Sequence, residues 1–114
     1  MTKKRYITEM GMGVDVHGSD YTKAAKRAVA DAIRHSSLNF FGALGKSPHD
    51  MEIVVKIGVA KPDEINMSAI AKELPYGSVI VEACQGGLNV PSDENSDEIV
   101  IANAAVIVLS LIHI

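Results

Sequence analysis

Apolar residues recur along this chain with two different periods, which predict four strands and two helices. The strands, recognised by a period of two or by a short continuous apolar run, are expected at residues 6–17, 51–59, 78–85 and from 98 onward. Spacings of three and four predict an amphipathic helix over residues 21–37, and turn signals on both sides bound a shorter helix over 67–74. The order β-α-β-α-β-β places the chain in the α/β (α+β) class.

The predicted fold is a single domain over residues 1–114, built on a mixed four-stranded sheet with both helices on one face. The two β-α-β units imply parallel neighbours, whereas the third and fourth strands either pair as antiparallel neighbours or lie apart. Because the fourth strand is apolar on both sides, the face opposite the helices needs a cover. We therefore expect self-association, with a trimer favoured over a monomer that has a polar exposed face.

The composition limits the classes of binding partner and the cellular compartment to be expected. A net charge of −3 provides no basic stripe for nucleic acid, and Cys84 alone excludes an intramolecular disulfide. The amino-terminal residues lack the apolar core of a signal peptide, and the apolar run at 99–114 is interrupted and too short for a membrane helix. We predict a cytoplasmic protein with neither nucleic acid nor membrane as a partner. Residues 109–114 resemble translated adapter sequence, so His113 receives no role.

The candidate chemistry centres on the segment Gly11-Met-Gly-Val-Asp-Val-His-Gly18. Strand alternation puts Gly11, Gly13, Asp15 and His17 on one face, and glycine within a strand often marks the close approach of a ligand or another backbone. Asp15 and His17 can act as an acid–base pair, or both can point at one substrate atom or metal ion. Two ligands fall short of the three or four usual for zinc. Alternatively, Asp15 caps the following helix and His17 is structural.

Three further side chains interrupt apolar strands. Glu82 is either a functional carboxylate or one half of a buried ion pair with Lys56, and Lys56 either binds an anionic substrate or extends to solvent. Cys84 is either a nucleophile or, more commonly for a lone cysteine, a buried inert thiol. Lys61 follows the second strand and is a further candidate for binding the substrate.

The segment from Gly11 to Gly18, followed by Lys61-Pro-Asp-Glu-Ile65, Leu74-Pro-Tyr-Gly77 and the Gly86-Gly87 pair, resembles an uncharacterised family of conserved hypothetical proteins from bacteria and plastids. The resemblance implies a compact βαβαββ unit and no particular reaction. The element order is also similar to trimeric folds such as bacterial chorismate mutase, the YjgF-type deaminases and the repeated units of cyanuric acid hydrolase. Those folds place ligand clefts between subunits, although a shared fold does not transmit activity.

The leading hypothesis is a homo-oligomeric enzyme that acts on a small polar metabolite through an acid–base or metal-assisted site. Its catalytic residues are predicted to be Asp15, His17 and Glu82, of which Asp15 and His17 are the candidate metal ligands. Its binding residues are predicted to be Gly11, Gly13, Gly18, Lys56 and Lys61. The alternatives are a non-catalytic module that binds a metabolite or metal, and a purely structural oligomer. The sequence identifies neither the substrate nor a cofactor.

Overall fold

A computed structural model of the 114-residue chain describes residues 2–35, 51–74, 78–91 and 98–112. The described elements are the strands β1 (Thr2–Asp15), β2 (Met51–Val59), β3 (Ser78–Gln85), β4 (Leu88–Pro91) and β5 (Glu98–Ile112), and the α-helices α1 (Tyr21–His35) and α2 (Met67–Ala71). A short 3₁₀ helix, Pro62–Glu64, follows β2. Together these elements form one mixed sheet with helices on one face, which confirms the predicted class.

The strand order is β1-β5-β2-β3, and β4 also pairs with β5. Strand β5 is antiparallel to β1, β2 and β4, whereas β2 and β3 are parallel. The predicted adjacency of the first two strands is therefore wrong: they are parallel to each other, but β5 lies between them. The physical reason is that β5 is apolar on both sides, so the centre of the sheet buries it best.

The boundaries differ from the prediction at both ends of β1 and at the end of the second helix. Strand β1 begins at Thr2, four residues before the predicted start, and ends at Asp15, two residues early, and helix α2 ends at Ala71. Leu88–Pro91 forms the additional strand β4, which makes five strands instead of four. Residues 36–37, the Pro75-Tyr76-Gly77 stop and most of the loop before β5 lie outside the described residues.

The core lies between α1 and the sheet, and small side chains dominate its helical side. Along the strands it is completed by Ile53, Val55, Ile57 and Val59 of β2 and by Val100, Ala102 and Ala104 of β5. On α1 the buried apolar residues are Tyr21, Ala24, Ala25, Ala28, Val29 and Ala32. Because the alanine side chain is small, the helix axis can approach the sheet closely. This close approach limits the size of the side chains that fit on the neighbouring strand β1.

The two faces of the sheet differ in what covers them. We call the side that packs against α1 and α2 the helix face. The other side, the open face, has no described element packed on it. Several of its apolar side chains are exposed, and the large ones are Met10, Met12, Ile80, Leu88 and Val90, whereas Ile107 on the same face is buried.

Candidate functional site

The first two glycines of the Gly11–Gly18 segment lie on the helix face, directly beneath α1. A Cβ atom added to Gly11 would lie within 3.0 Å of the backbone of Ala28 and Ala32. A Cβ atom on Gly13 would lie equally close to Ala24 and Ala28. The close backbone approach that glycine permits is therefore made by the helix. A ligand-binding role for Gly11 and Gly13 stays a prediction without support from this packing.

Asp15 joins the end of β1 to the start of α1. It is 2% exposed, and its Oδ2 accepts a hydrogen bond of 2.9 Å from the backbone N–H of Asp20. Its Oδ1 lies 3.7 Å from Nη1 of Arg27 and 3.9 Å from Nζ of Lys23, one helical turn apart. The buried carboxylate is therefore paired and hydrogen-bonded, as a buried charge has to be. The alternative in which Asp15 supports the helix start matches this geometry.

Helix α1 also forms hydrogen bonds with backbone groups on the outer edge of β1. Arg27 donates a 2.6 Å hydrogen bond to the carbonyl of Val14, and Asp31 accepts a 3.0 Å hydrogen bond from the N–H of Met12. Since β1 lies at the edge of the described sheet, these backbone groups face no strand among the described residues. Arg27 is about half exposed, yet its guanidinium returns to β1 and Asp15.

The second part of the segment is an exposed turn. Because β1 ends at Asp15, the alternation does not continue to His17, and His17 is exposed whereas Asp15 is buried. Gly18 and Ser19 both adopt positive φ, of 87° and 48°. Asp20 then begins α1, with its carboxylate accepting from the N–H of Lys23 at 3.0 Å. His17 and Asp15 therefore occupy different environments, although they are two residues apart.

Parallel strands β1, β2 and β3 bring their carboxyl ends to one edge of the sheet. We call this the carboxyl edge and define it by the exposed residues His17, Lys61 and Gln85, which follow or end the three strands. A cleft of about 370 Å³ lies at the ends of β2 and β3 and is lined by Ala60, Lys61, Pro62, Asp63, Glu64 and Gln85. The Nζ of Lys61 lies 3.8 Å from Glu64.

Helix α1 reaches this part of the structure as well. The hydroxyl of Thr22 accepts a 2.9 Å hydrogen bond from the N–H of Asn66, just after the 3₁₀ helix. The first turn of α1 is therefore tied to the chain that leaves the cleft. His17 is not among the residues that line the cleft.

Three of the predicted residues lie on the open face instead. Lys56 and Glu82 are register partners on β2 and β3, with 3.9 Å between Nζ and Oε2, and both are more than half exposed. Cys84 follows on the same face and is exposed, so the expectation of a buried thiol is wrong; its Sγ donates to the carbonyl of Ile57 at 3.5 Å. Asp15 points to the helix face. Within one chain the structure therefore does not bring Lys56 or Glu82 to Asp15.

A polar cluster escaped the sequence analysis. The side-chain amide of Asn89 donates to the hydroxyl of Tyr21 at 2.7 Å and to Oε2 of Glu98 at 2.8 Å. Its Oδ1 is buried without a hydrogen-bond partner in the described part of the chain. The signal was the alternation of Leu88, Asn89 and Val90, which identifies Asn89 as the inward residue of a strand. Lys23 and Arg27 were also missed, although their spacing of four puts them on one side of α1.

Two further observations concern metal binding and membrane insertion. Over the described ranges, with their gaps at 36–50, 75–77 and 92–97, no three side chains of His, Cys, Asp or Glu lie together as a metal site would require. Neither described helix has the length and apolarity needed to cross a membrane.

The comparisons with known proteins agree with this geometry. Residues 5–108 match the family described as conserved hypothetical protein (Lin0512_fam). The chain belongs to this family. The resemblance found in the sequence is thereby confirmed, and the match includes the segment Gly11–Gly18, the cleft residues and most of β5.

Among solved structures, the Lin0512 family chain is similar to an FtsZ-like protein of unknown function from Nostoc punctiforme. The two are 38% identical, with a TM-score of 0.86, and the alignment covers 96% of this chain and 98% of the other. No curated protein shows significant similarity to the chain. The relationship therefore defines the fold and the family, and it assigns no reaction.

Proposed function

We propose that this protein binds a small anionic metabolite at the carboxyl edge, with His17 and Lys61 as the side chains that contact it. The observation that carries the proposal is the convergence of three parallel strand ends, β1, β2 and β3, on the edge where these two residues are exposed. Ligands of open α/β sheets bind outside the carboxyl ends of the strands, because the loops there are free to vary.

The local charges support an anion. Lys23 and Arg27 are about half exposed beside a single buried carboxylate, that of Asp15, at the β1 side of this edge. At the cleft, Lys61 is 64% exposed and lies 3.8 Å from Glu64, so its ammonium group keeps an exposed side for an anion, although Asp63 and Glu64 also line the cleft. The net charge of −3 over the whole chain makes these local cations distinctive, and it is consistent with a cytoplasmic protein that uses neither nucleic acid nor membrane.

Asp15 and His17 take different roles in this proposal. Asp15 is a positioning residue, because its oxygens are occupied by the Asp20 amide and by two cations and it is buried. His17 is the residue that meets the ligand and, if the protein is an enzyme, the residue that moves the proton. Turnover of a bound ligand separates an enzyme from a binding module.

The test measures ligand-induced stabilisation with inorganic pyrophosphate and citrate as anionic probes. An anion that binds only the folded protein raises its stability by about 2.7 kcal/mol at about one hundred times its dissociation constant, which appears as a rise in melting temperature. We expect His17→Asn and Lys61→Gln to lose most of this rise. Lys72→Gln is the matched control, because Lys72 is exposed but does not line the cleft. Equal shifts in all three variants, or none in the native protein, would contradict the proposal.

A second candidate function is a structural one, in which the Gly11–Gly18 segment only joins β1 to α1. The packing of Gly11 and Gly13 and the bonding of Asp15 favour it. It predicts that His17→Asn lowers the free energy of unfolding and changes no anion response. The metabolite proposal predicts that His17→Asn loses the anion response and keeps its stability. The His17→Asn variant therefore distinguishes the structural function from metabolite binding.

A further inference from the structure

We propose that the open face of the sheet docks against the open face of a second copy of this chain, giving a two-fold dimer. This inference goes beyond the proposed ligand site, which lies at the end of the sheet, and it does not depend on it. The general expectation of self-association becomes here a specific surface and a specific partner.

The open face carries large apolar side chains in contact with water. Met10 is 71% exposed, Leu88 57%, Met12 53% and Ile80 46%. The strand register places Met10 opposite Ala105 and Leu88 opposite Ile101 on the central strand β5, whereas Met12 lies opposite the exposed Asn103. The apolar residues therefore share the open face with polar ones, and exposed apolar patches rimmed by polar residues are typical of protein interaction sites.

The edge of the sheet is less suited to the same purpose. A second copy could in principle add its β1 to this β1, but Asp31 and Arg27 already occupy the outward backbone groups of Met12 and Val14. A strand that approached there would first have to displace two side-chain hydrogen bonds. The apolar side chains of this strand are therefore more readily covered from above, by a sheet that packs face to face.

The charges on the open face are complementary to a copy of themselves. Lys56 and Glu82 are neighbours at 3.9 Å and carry opposite signs. In an isologous interface, Lys56 of one chain can face Glu82 of the other, and the second contact follows by symmetry. A partner with a purely positive surface would repel Lys56, and one with a purely negative surface would repel Glu82.

The area is sufficient for such a dimer. Four strands about 4.8 Å apart and about 26 Å long present roughly 500 Å² on one face. Two such faces bury roughly 1,000 Å² in total, which is the lower bound for a specific interface. Two-fold pairing replaces the trimer favoured from the sequence, because the Lys56 and Glu82 arrangement is self-complementary in pairs.

The decisive measurement is the mass in solution by sedimentation at about 50 μM, a concentration well above a micromolar dissociation constant. We expect twice the 12.2 kDa of one chain. Met12→Lys is expected to weaken the dimer at least about tenfold, because it buries an unpaired charge in an apolar contact. Met67→Lys is the matched control, since Met67 is 47% exposed but lies on α2, on the helix side of the sheet.

A second experiment exchanges the charges of Lys56 and Glu82, and its result does not depend on how well Met12→Lys folds. Lys56→Glu and Glu82→Lys should each weaken the dimer, and the double variant should restore it. A monomer at this concentration, a trimer, or a dimer that Met12→Lys leaves intact would overturn the proposal. Should Met12→Lys fail to fold, Leu88→Lys on the neighbouring strand replaces it, and an unchanged dimer there would overturn the proposal equally.

Discussion

The two halves of the Gly11–Gly18 segment serve different purposes, although they read as one motif. From Gly11 to Asp15 the inward residues lie beneath α1, in contact with its backbone or bonded to its first turn. From His17 to Ser19 the chain is an exposed turn. The comparison teaches that glycine and an ionisable residue on one strand face can indicate a helix packed against that face, and that chemistry is better sought where the strand ends.

The strongest test of this division replaces a glycine under the helix. Gly13→Val puts a branched side chain where a single Cβ would already collide with backbone atoms of Ala24 and Ala28. We expect a loss of about 3 kcal/mol in the free energy of unfolding, measured by urea titration, because neither backbone can move without separating α1 from the sheet.

Val16→Ala is the control for that substitution, since Val16 directly follows the same strand, is 49% exposed and does not belong to the proposed dimer interface. Its effect on the unfolding of the isolated chain should stay within about 0.5 kcal/mol. If the two substitutions cost the same, the close packing of α1 on β1 would not be what requires glycine at position 13.

The next largest effect is expected at Asp15. Asp15→Ala removes the acceptor of the Asp20 N–H and leaves Lys23 and Arg27 without their carboxylate. Losing a buried, charge-assisted hydrogen bond should cost about 2 kcal/mol of unfolding free energy. Asp15→Asn retains an acceptor and should cost less, and thermal unfolding of the two variants side by side checks the order. An Asp15→Ala protein as stable as the native one would assign Asp15 to function instead of the joint.

The smallest effect is expected in the exposed turn. Gly18 has φ of 87° and nothing within 4 Å of an added Cβ, so Gly18→Ala meets no steric obstacle and costs only the backbone strain. That strain should be about 1 kcal/mol, readable as a small fall in melting temperature. Gly18→Asn should cost less, because asparagine tolerates the left-handed region. A cost as large as that of Gly13→Val would remove the distinction between the two halves.

The periodic parts of the fold could be predicted from the sequence, whereas strand order could not. The bounds of β2 and β3 agree with the apolar runs, because these strands pack one face on the helices and their pattern is local. The apolarity of β5 on both sides favours the middle of the sheet, but it does not specify which strands become its neighbours. Strand β4 was missed for a related reason: four residues carry too short an alternation to stand out from a loop.

The site was less predictable than the fold. Strand alternation places His17 and Asp15 on one face and so suggests equivalent roles, but the strand ends between them. Lys56 and Glu82 do lie together as an ion pair, although it is exposed where a buried pair was expected, and their separation from Asp15 depends on which face of the sheet the helices cover. Arg27 could have been suspected from its helical spacing to Lys23, but its contacts with β1 depend on how closely the alanines let α1 approach.

The central position of β5 also bears on how the protein is made. Strand β5 joins β1, β2 and β4, yet it follows all of them along the chain. During synthesis the ribosome therefore releases β1 long before its pairing partner exists, and the contact between them spans most of the sequence. Contacts of such long range form slowly. The nascent chain must keep the unpaired strand β1 from pairing elsewhere, so we expect this protein to complete its sheet only after translation of β5.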